Sequence, residues 1–375
     1  MTNDTHYMQI ALRLARRGLG RSWPNPAVGC VIVQNAGGAP RILGRGWTQP
    51  GGRPHAETVA LSQARERYGA AELTGATAYV SLEPCNHVGE TPPCSEALIE
   101  AGIGRVVVGC ADPDPRVSGT GIERLRAAGI DVTENMLQAD AAELNAGFIQ
   151  RVKSGRPLVT LKTAMTADGR IATRSGASQW ITGSAARERV HLMRTQHDAI
   201  LVGIDTVIHD DPQLTCRLPG LGDRSPVRIV FDSNLRISMA ARLVKSAREV
   251  PTWIVTRDDR DEESASNLQQ AGVEVVRVAA DEADHVDAGL ALAELGNRGI
   301  TRVMVEGGAI LNGALLRAGL VDRIACFRAP SLIGGDGKPA FGDLGVEKIE
   351  DMPAFAPMAR EIIGDETLDI YRRLP

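Results

Sequence analysis

Three residues that commonly bind zinc stand beside predicted helix starts or directly after a strand. His55 follows Pro54 at the start of one predicted helix, Cys85 follows a strand, and Cys94 opens the next helix. One histidine and two cysteines are three protein ligands, and zinc held by three protein ligands keeps a fourth position open for water. The pattern therefore predicts a catalytic zinc site rather than a structural one.

A glutamate two residues after the histidine extends the pattern. Inside a helix His55 and Glu57 would point to nearly opposite sides, but at a helix start both side chains can turn toward one site. Zinc lowers the pKa of its bound water to about 7, which creates a nucleophile at neutral pH. Glu57 is not needed as a ligand, so it can carry protons from that water to a ring nitrogen and to departing ammonia. The predicted reaction is hydrolytic deamination of a nitrogen heterocycle.

The two cysteines are farther apart than in the Cys-x-x-Cys signature of zinc nucleobase deaminases. The insert 86–93 separates them, and we expect it to form a loop over the metal. His87 lies in this insert, and we expect a role in the loop rather than as a fourth ligand. If Cys94 begins its helix, the exposed backbone N–H groups there favour thiolate over thiol.

Each of these residues alone also has an ordinary structural explanation. His55 could cap a helix, Cys85 and Cys94 could be buried thiols, and Glu57 could be a first-turn acid favoured by the helix dipole. The ordered combination of all four favours the zinc site. The other four cysteines lie in or beside apolar runs or alone, and we interpret them as small buried hydrophobic residues: Cys30, Cys110, Cys216 and Cys326.

Alternating strand and helix patterns surround these residues, which indicates a sheet covered by helices. The first part of the chain has predicted helices at 4–17, 55–68, 95–101, 122–128 and 139–152, and strands at 28–33, 42–47, 77–82, 105–110 and 130–133. A polar stretch at 153–157, ending in Pro157, cannot continue a helix. We therefore predict two α/β domains, 1–152 and 153–375. Strands of the second are predicted at 158–163, 199–202, 227–231, 252–255, 273–278, 302–305, 323–327 and 367–371.

Composition excludes several classes of protein. The net charge of −4 and the pI near 6.0 argue against a nucleic-acid-binding chain, which needs a basic surface. No apolar run is long enough for a membrane span, and no secretory leader is visible, so we expect a cytoplasmic protein that does not contact membranes. With 3% aromatic residues, the cores must be built from Ala, Val, Leu and Ile.

Longer motifs resemble the bifunctional deaminase/reductase family of riboflavin biosynthesis. They include Pro54-His55-Ala56-Glu57 and Leu82-Glu83-Pro84-Cys85, with further matching segments at 24–33, 86–94, 161–162, 168–170, 178–182, 210–217 and 305–308. The resemblance implies a cytidine-deaminase-like α/β/α domain followed by a dihydrofolate-reductase-like α/β domain. It also implies two steps: removal of the 2-amino group of 2,5-diamino-6-ribosylamino-4(3H)-pyrimidinone 5′-phosphate, then NADPH reduction of the ribosyl side chain. The product would be 5-amino-6-ribitylamino-uracil 5′-phosphate.

Site residues follow from the resemblance position by position. Zinc would be held by His55, Cys85 and Cys94, and Glu57 would be the catalytic proton carrier. The resemblance places NADPH at Ala164, Trp180, Thr206, Asp210, Gly308, Ala309, Ile310, Leu311, Asn312, Gly313 and Ala314. It places substrate at Asn25, Lys162, Ser178, Arg194, Leu214, Arg217 and Glu306. The partner is then a small pyrimidine ribonucleotide, and we expect a homo-oligomer.

Two of these predictions have independent physical support. Gly307 and Gly308 lie between a strand and a helix, where free N–H groups suit the phosphates of a cofactor. Arg194 and Arg217 could bind the ribose phosphate through bidentate contacts. Each also has a plainer interpretation, as a tight turn and as surface charges.

Two positions depart from the family pattern. Thr48 stands where a histidine is common, which could remove or alter a contact to the deaminase substrate, and Ala164 stands where glycine is common. Two other functions stay open from the residues alone: a zinc deaminase acting on bases in nucleic acid, and a non-catalytic zinc module joined to a nucleotide-binding regulator.

Overall fold

The chain folds into two compact units, Met1–Gly155 and Arg156–Pro375. The structure, a computed structural model, describes residues 3–35, 39–87, 92–115 and 118–374. Each unit has its own sheet and its own hydrophobic core.

The first unit is built on a five-stranded sheet of order β2-β1-β3-β4-β5. Strands β1 and β2, and β1 and β3, pair antiparallel, whereas β3, β4 and β5 run parallel. The strands are β1 Gly29–Gln34, β2 Arg41–Trp47, β3 Thr77–Val80, β4 Arg105–Val108 and β5 Asp131–Thr133. The helices are α1 Asn3–Ala15, α2 Ala56–Tyr68, α3 Cys94–Glu100, α4 Thr120–Ala127, α5 Gln138–Leu144 and α6 Ala146–Ser154.

Glycines allow two helices to lie unusually close to this sheet. A Cβ atom on Gly29 would lie 1.9 Å from the carbonyl oxygen of Ala11 in α1, and one on Gly46 would lie 2.1 Å from that of Ala56 in α2. Both distances are far below van der Waals contact, so no other residue fits without moving the helix. The start of α2, where His55 stands, is thereby fixed against β2.

The prediction of one helix over 139–152 is wrong. Two helices, α5 and α6, meet at Asn145, whose backbone lies at φ −97° and ψ 14°. The buried Asn145 side chain accepts a hydrogen bond from the N–H of Ala27 at 3.0 Å. A short polar side chain that bonds to a distant backbone group competes with helix continuation.

The second unit is built on a nine-stranded sheet of order β11-β10-β9-β8-β12-β6-β13-β16-β15. Its strands are β6 Leu158–Thr166, β8 Ala199–Gly203, β9 Val227–Phe231, β10 Thr252–Arg257, β11 Glu274–Val278, β12 Arg302–Val305, β13 Arg323–Ala329, β15 Phe355–Ile363 and β16 Glu366–Arg373, and β7 Arg170–Ala172 pairs separately with β14 Lys338–Pro339. Its helices are α7 Ser184–Arg194, α8 Ile204–Asp210, α9 Arg242–Lys245, α10 Glu262–Gln270, α11 Ala288–Asn297 and α12 Ala309–Arg317.

Most strand pairs of this sheet are parallel, and among the described residues only the pairs β13–β16 and β16–β15 are antiparallel. The interior strands of this sheet are the Val- and Ile-rich runs that the sequence predicted as strands. They are rich in apolar residues because helices cover both faces of a parallel sheet. None of the helices in the described ranges has both the length and the apolar character needed to cross a bilayer.

Candidate active sites

Loop and helix starts at one edge of the first sheet bring together the three predicted zinc ligands. His55 is the residue before α2, in extended conformation at φ −70° and ψ 160°. Cys85 follows the end of β3, and Cys94 is the first residue of α3. Within the part of the chain that the structure describes, these three residues form one cluster of metal-binding side chains.

The distances in this cluster fit a tetrahedral zinc ion. Nδ1 of His55 lies 3.3 Å from Sγ of Cys94 and 3.6 Å from Sγ of Cys85, and all three donor atoms lie within 4.8 Å of one another. Bonds of about 2.0 Å to nitrogen and 2.3 Å to sulfur separate tetrahedral ligand atoms by about 3.5 to 3.8 Å. The set therefore matches zinc in both chemistry and size.

The electrostatics of the cluster favour a thiolate at Cys85. Hydrogen bonding from the Cys94 thiol lowers the pKa of Cys85, with further help from His55 and from the backbone N–H of Cys94. That N–H lies 3.4 Å from Sγ of Cys85, which is the helix-start interaction that the sequence predicts. Zinc binds thiolate rather than thiol, so Cys85 is already biased toward the metal-binding form. The hydrogen bond to Cys85 and burial raise the pKa of Cys94, whose thiol must lose its proton when a metal binds.

Glu57 lies in the first turn of α2, beside the metal-binding cluster. Its side chain is 3% exposed, and burial is the largest cause that raises its pKa, followed by the charge of Cys85. His87, by contrast, is exposed and lies outside the cluster of His55, Cys85 and Cys94. The rest of the predicted loop over the metal, residues 88–91, lies outside the described residues.

Glu83 is a buried residue to which the sequence assigned no role. Its carboxylate accepts hydrogen bonds from the backbone N–H groups of Asp112 at 3.2 Å, Gly119 at 3.1 Å, Gly121 at 3.1 Å and Ile122 at 3.4 Å. It thus caps the start of α4 and fixes it to the loop that carries Cys85. The signal available in the sequence for a role of Glu83 was its position next to Pro84, two residues before the predicted zinc ligand Cys85.

Asn25 and Thr48 both have partners in the backbone near this edge of the sheet. Nδ2 of Asn25 donates to the carbonyl of Gly52 at 3.0 Å. The buried hydroxyl of Thr48 accepts from the N–H of Val28 at 2.9 Å. The Thr48 side chain therefore satisfies a backbone N–H group directly before β1.

A charged cluster in the second unit collects residues from three separate elements. Arg194 at the end of α7 contacts Glu306, just after β12, through two hydrogen bonds, Nε to Oε1 at 2.7 Å and Nη2 to Oε2 at 3.0 Å. Nζ of Lys162 in β6 lies 3.8 Å from the same carboxylate. Burial alone would raise the pKa of Glu306, but Arg194 and Lys162 outweigh it and lower the pKa to about 2. Glu306 is therefore a fixed anion between two cations.

Beside this cluster lies a cavity of about 320 Å³. Five of the predicted residues line it: Trp180, Arg194, Asp210, Leu214 and Arg217. The sequence missed other lining residues, among them Gln179, Asp211, Gln213 and Arg242. The volume lies within the usual range of pockets for small ligands.

Several predicted residues do not line this cavity: Ala164, Lys162, Ser178, Thr206 and Glu306. The segment from Gly308 to Ala314 also lies outside the cavity lining, and it forms the start of α12. Gly308 precedes the helix with open space around its Cα, which leaves room for a ligand at the helix start. Asn312 is buried instead, and its Nδ2 donates to the carbonyl of Ala340 at 3.0 Å.

His191 is a further residue that the sequence analysis missed. It lies on α7 one turn before Arg194, and its Nδ1 accepts a hydrogen bond from the N–H of Arg217 at 3.3 Å. Burial, together with the charges of Arg194 and Arg217, lowers its pKa to about 4. The ring is therefore neutral at physiological pH.

Comparisons with known proteins match both units. Residues 1–110 match the cytidine and deoxycytidylate deaminase zinc-binding region, and residues 157–363 match the RibD C-terminal domain. The chain is 43% identical over 369 residues to the riboflavin biosynthesis protein RibD of Actinobacillus pleuropneumoniae, covering 98% of this chain and 95% of the relative. It is 41% identical over 363 residues to RibD of Escherichia coli strain K12, covering 94% of each.

Solved structures agree over the whole chain. The fold matches Acinetobacter baumannii RibD at a TM-score of 0.86 and 36% identity, covering 99% of each chain. It matches a diaminohydroxyphosphoribosylaminopyrimidine deaminase/5-amino-6-(5-phosphoribosylamino)uracil reductase from Thermotoga maritima at a TM-score of 0.84 and 36% identity, again covering 99% of each chain.

These matches confirm the fold class, the bifunctional activity and the two cofactors that the motifs predict, zinc for the deaminase and NADPH for the reductase. The chain belongs to the RibD family of bifunctional deaminase/reductase enzymes of riboflavin biosynthesis.

Proposed function

We propose that this chain deaminates 2,5-diamino-6-ribosylamino-4(3H)-pyrimidinone 5′-phosphate and then reduces the ribosyl side chain to give 5-amino-6-ribitylamino-uracil 5′-phosphate. The observation that carries this proposal is the convergence of His55, Cys85 and Cys94 within 4.8 Å, with Glu57 buried beside them. The similarity to deaminase/reductase enzymes over nearly the full chain supports it. We assign deamination to the unit 1–155 and reduction to the unit 156–375.

In the deaminase, His55, Cys85 and Cys94 would hold zinc. Bound zinc lowers the pKa of a water ligand to about 7. Glu57 accepts a proton from the attacking water and delivers protons to the ring nitrogen and to the leaving amino group. The carbon–nitrogen bond breaks, ammonia leaves, and the ring carbon gains a carbonyl oxygen. Asn25 contributes a contact to the pyrimidine, although its side chain now bonds to Gly52.

In the reductase, bound NADPH would supply a hydride to C1′ of the ribosyl group, whose bond to the ring oxygen would break as that oxygen takes a proton, and NADP⁺ would be released. We assign NADPH to Ala164, Trp180, Thr206, Asp210 and the segment from Gly308 to Ala314. We assign substrate to Lys162, Ser178, Arg194, Leu214, Arg217 and Glu306. The buried ion-pair cluster supports this assignment, because Glu306 and Lys162 provide one acceptor and one donor at fixed positions for ribose hydroxyl groups.

We also propose that the protein is cytoplasmic, does not bind nucleic acid and forms a homo-oligomer. The net charge of −4 supports the absence of nucleic-acid binding. The edge strand β15 supports the homo-oligomer, since the side chains of Met358 and Ile362 on this strand are 37% and 81% exposed. Exposed apolar side chains on a sheet edge favour pairing with another chain, and light scattering of the purified protein measures this directly.

The test is to incubate purified zinc-loaded protein with the diaminopyrimidine nucleotide, with and without NADPH, and to identify the products by mass. Without NADPH we expect ammonia and the deaminated intermediate, and with NADPH the ribityl product. A parallel incubation with tRNA and single-stranded DNA should release no ammonia. Ammonia release from nucleic acid but not from the nucleotide would overturn the proposal.

A further inference from the structure

Among the residues that the structure describes, the largest side chain that is almost completely buried belongs to a cation, Arg228, in the interior strand β9. It is 1% exposed, and burial lowers its pKa only to about 10, so it remains charged at neutral pH. Burying a charge costs free energy unless hydrogen bonds compensate it. An apolar residue would fill the same space at lower cost, so the guanidinium calls for an explanation beyond core packing.

The hydrogen-bond partners of Arg228 are carbonyl and hydroxyl oxygens. Nη1 donates to the carbonyl of Gln213 at 3.3 Å and to Oγ of Ser246 at 2.8 Å. Nη2 donates to four oxygens: the carbonyls of Leu243 at 3.2 Å, Ser246 at 3.0 Å and Val250 at 2.7 Å, and Oγ1 of Thr252 at 2.6 Å. One planar group thus joins three separate segments of backbone.

Two of these segments are walls of the cavity beside the charged cluster. Gln213 lines the cavity directly. Leu243 lies in α9, whose first residue, Arg242, also lines the cavity. A second link joins the same walls, because the carboxylate of Asp211 accepts from the backbone N–H of Arg242 at 2.8 Å and lies 3.3 Å from its Nε.

We propose that Arg228 is a positioning residue of the reductase, which sets the distance between the 211–217 loop and α9 and so the width of the cavity. Asp211 and Arg242 form an exposed ion pair, which contributes little by itself. The buried guanidinium is the rigid connection, because its fork directs donors to both walls at once. This inference rests on the proposed function, which assigns the reductase substrate to Arg194, Leu214 and Arg217 in the lining of this cavity.

The experiment compares Arg228→Lys with Thr252→Val in the full-length protein. Lysine keeps the charge but lacks the planar fork, so it cannot contact the backbone of Gln213 and α9 together. We expect KM for the deaminated substrate to rise on the order of tenfold or more, with kcat changed much less, because small misplacements of a binding wall weaken substrate binding. Thr252→Val removes one Nη2 contact and the bonds of its own hydroxyl to the carbonyls of Leu243 at 3.4 Å and Val250 at 3.1 Å, but no contact to a residue that lines the cavity. It should therefore lower Tm while KM stays near the wild-type value.

A second, milder variant keeps the experiment informative if Arg228→Lys does not fold. Ser246→Ala removes the 2.8 Å partner of Nη1, the atom that also contacts Gln213, together with the bond from the Ser246 hydroxyl to the carbonyl of Arg242 at 2.7 Å. It should raise KM by a smaller factor than Arg228→Lys. If Arg228→Lys does not fold, a higher KM for Ser246→Ala than for Thr252→Val still supports the proposal. Equal KM values in all folded variants would overturn it. Absence of NADPH oxidation in the wild-type enzyme would instead refute the proposed function.

Discussion

The two sites each contain a buried glutamate, but the surroundings of the two carboxylates differ. Glu306 is held between Arg194 and Lys162, which lower its pKa to about 2 despite burial. It stays ionised and can orient a ligand but is a poor proton carrier. Glu57 lies beside the thiols of the zinc cluster, and burial raises its pKa. Environment rather than residue type separates an orienting carboxylate from a proton-transferring one.

Replacing Glu57 by Gln removes the proposed proton carrier and keeps the size of the side chain. We expect ammonia release to fall about 10²- to 10⁴-fold, the usual contribution of general acid–base catalysis. Zinc content and NADPH oxidation with the deaminated intermediate should stay at wild-type levels, because neither the metal ligands nor the second unit change. Glu66→Gln, at an exposed position of the same helix, is the matched control. Loss of both activities in a folded Glu57→Gln variant would contradict the assignment.

At the scale of elements, apolar periodicity predicted strands and helices well, but it could not predict contacts between distant segments. The runs that became β1, β4 and β9 are mostly apolar and form interior strands of the two sheets. The break at Asn145 was missed because its cause is the N–H of Ala27, more than 100 residues away in the chain. Strand β15 was missed because most of its residues are exposed and it contains Pro357.

The same limit applies to the sites. The cluster of His55, Cys85 and Cys94 was predictable because each residue falls in a short motif at a helix start or after a strand. The clustering of Lys162, Arg194 and Glu306 depends on the order of strands in the sheet, and only the family resemblance suggested it. The roles of Glu83 and Arg228 depend on backbone groups that no side-chain pattern reveals.

Glu83→Gln should weaken the connection between the Cys85 loop and α4. The glutamine amide would place a donor against backbone N–H groups that now contact a carboxylate oxygen. An unsatisfied buried group costs about 1 to 3 kcal/mol, and lost support of a metal ligand typically weakens metal binding about 10- to 100-fold. A chelator titration and a melting curve measure the two effects, with exposed Glu100→Gln as control. Unchanged zinc retention would show that the Cys85 loop holds its position without Glu83.

For the whole molecule, stability should depend on pH through buried histidines of the second unit. His197 is 7% exposed, and its Nδ1 lies 2.8 Å from the carbonyl oxygen of Met193. Burial, with added repulsion from Arg302 and Arg323, lowers its pKa from 6.5 to about 4. Between these values the unfolded chain binds more protons than the folded one, so stability is complete above about pH 6.5 and falls as the pH drops toward 4.

The variant His197→Gln keeps a side-chain donor for Met193 but cannot titrate. The shift in the pKa of His197 contributes on the order of 3 kcal/mol to the free energy of unfolding above pH 6.5. The wild type loses part of this contribution as the pH falls from 7.5 to 5, whereas the variant has none to lose. The difference in unfolding free energy between wild type and variant should therefore shrink. Urea unfolding at both pH values measures it. A difference that stays constant across the two conditions would mean that His197 does not control acid stability.

The two units have separate hydrophobic cores, and no residue assigned to one site belongs to the other unit. Removing zinc with a chelator should therefore abolish ammonia release and lower the Tm of the first unit, because a zinc ion held by His55, Cys85 and Cys94 would link the starts of α2 and α3 to the Cys85 loop. NADPH oxidation with the deaminated intermediate should continue in the same sample, and added zinc should restore ammonia release. If chelation stopped NADPH oxidation as well, the reductase would depend on the metal centre, and the two activities could not be independent.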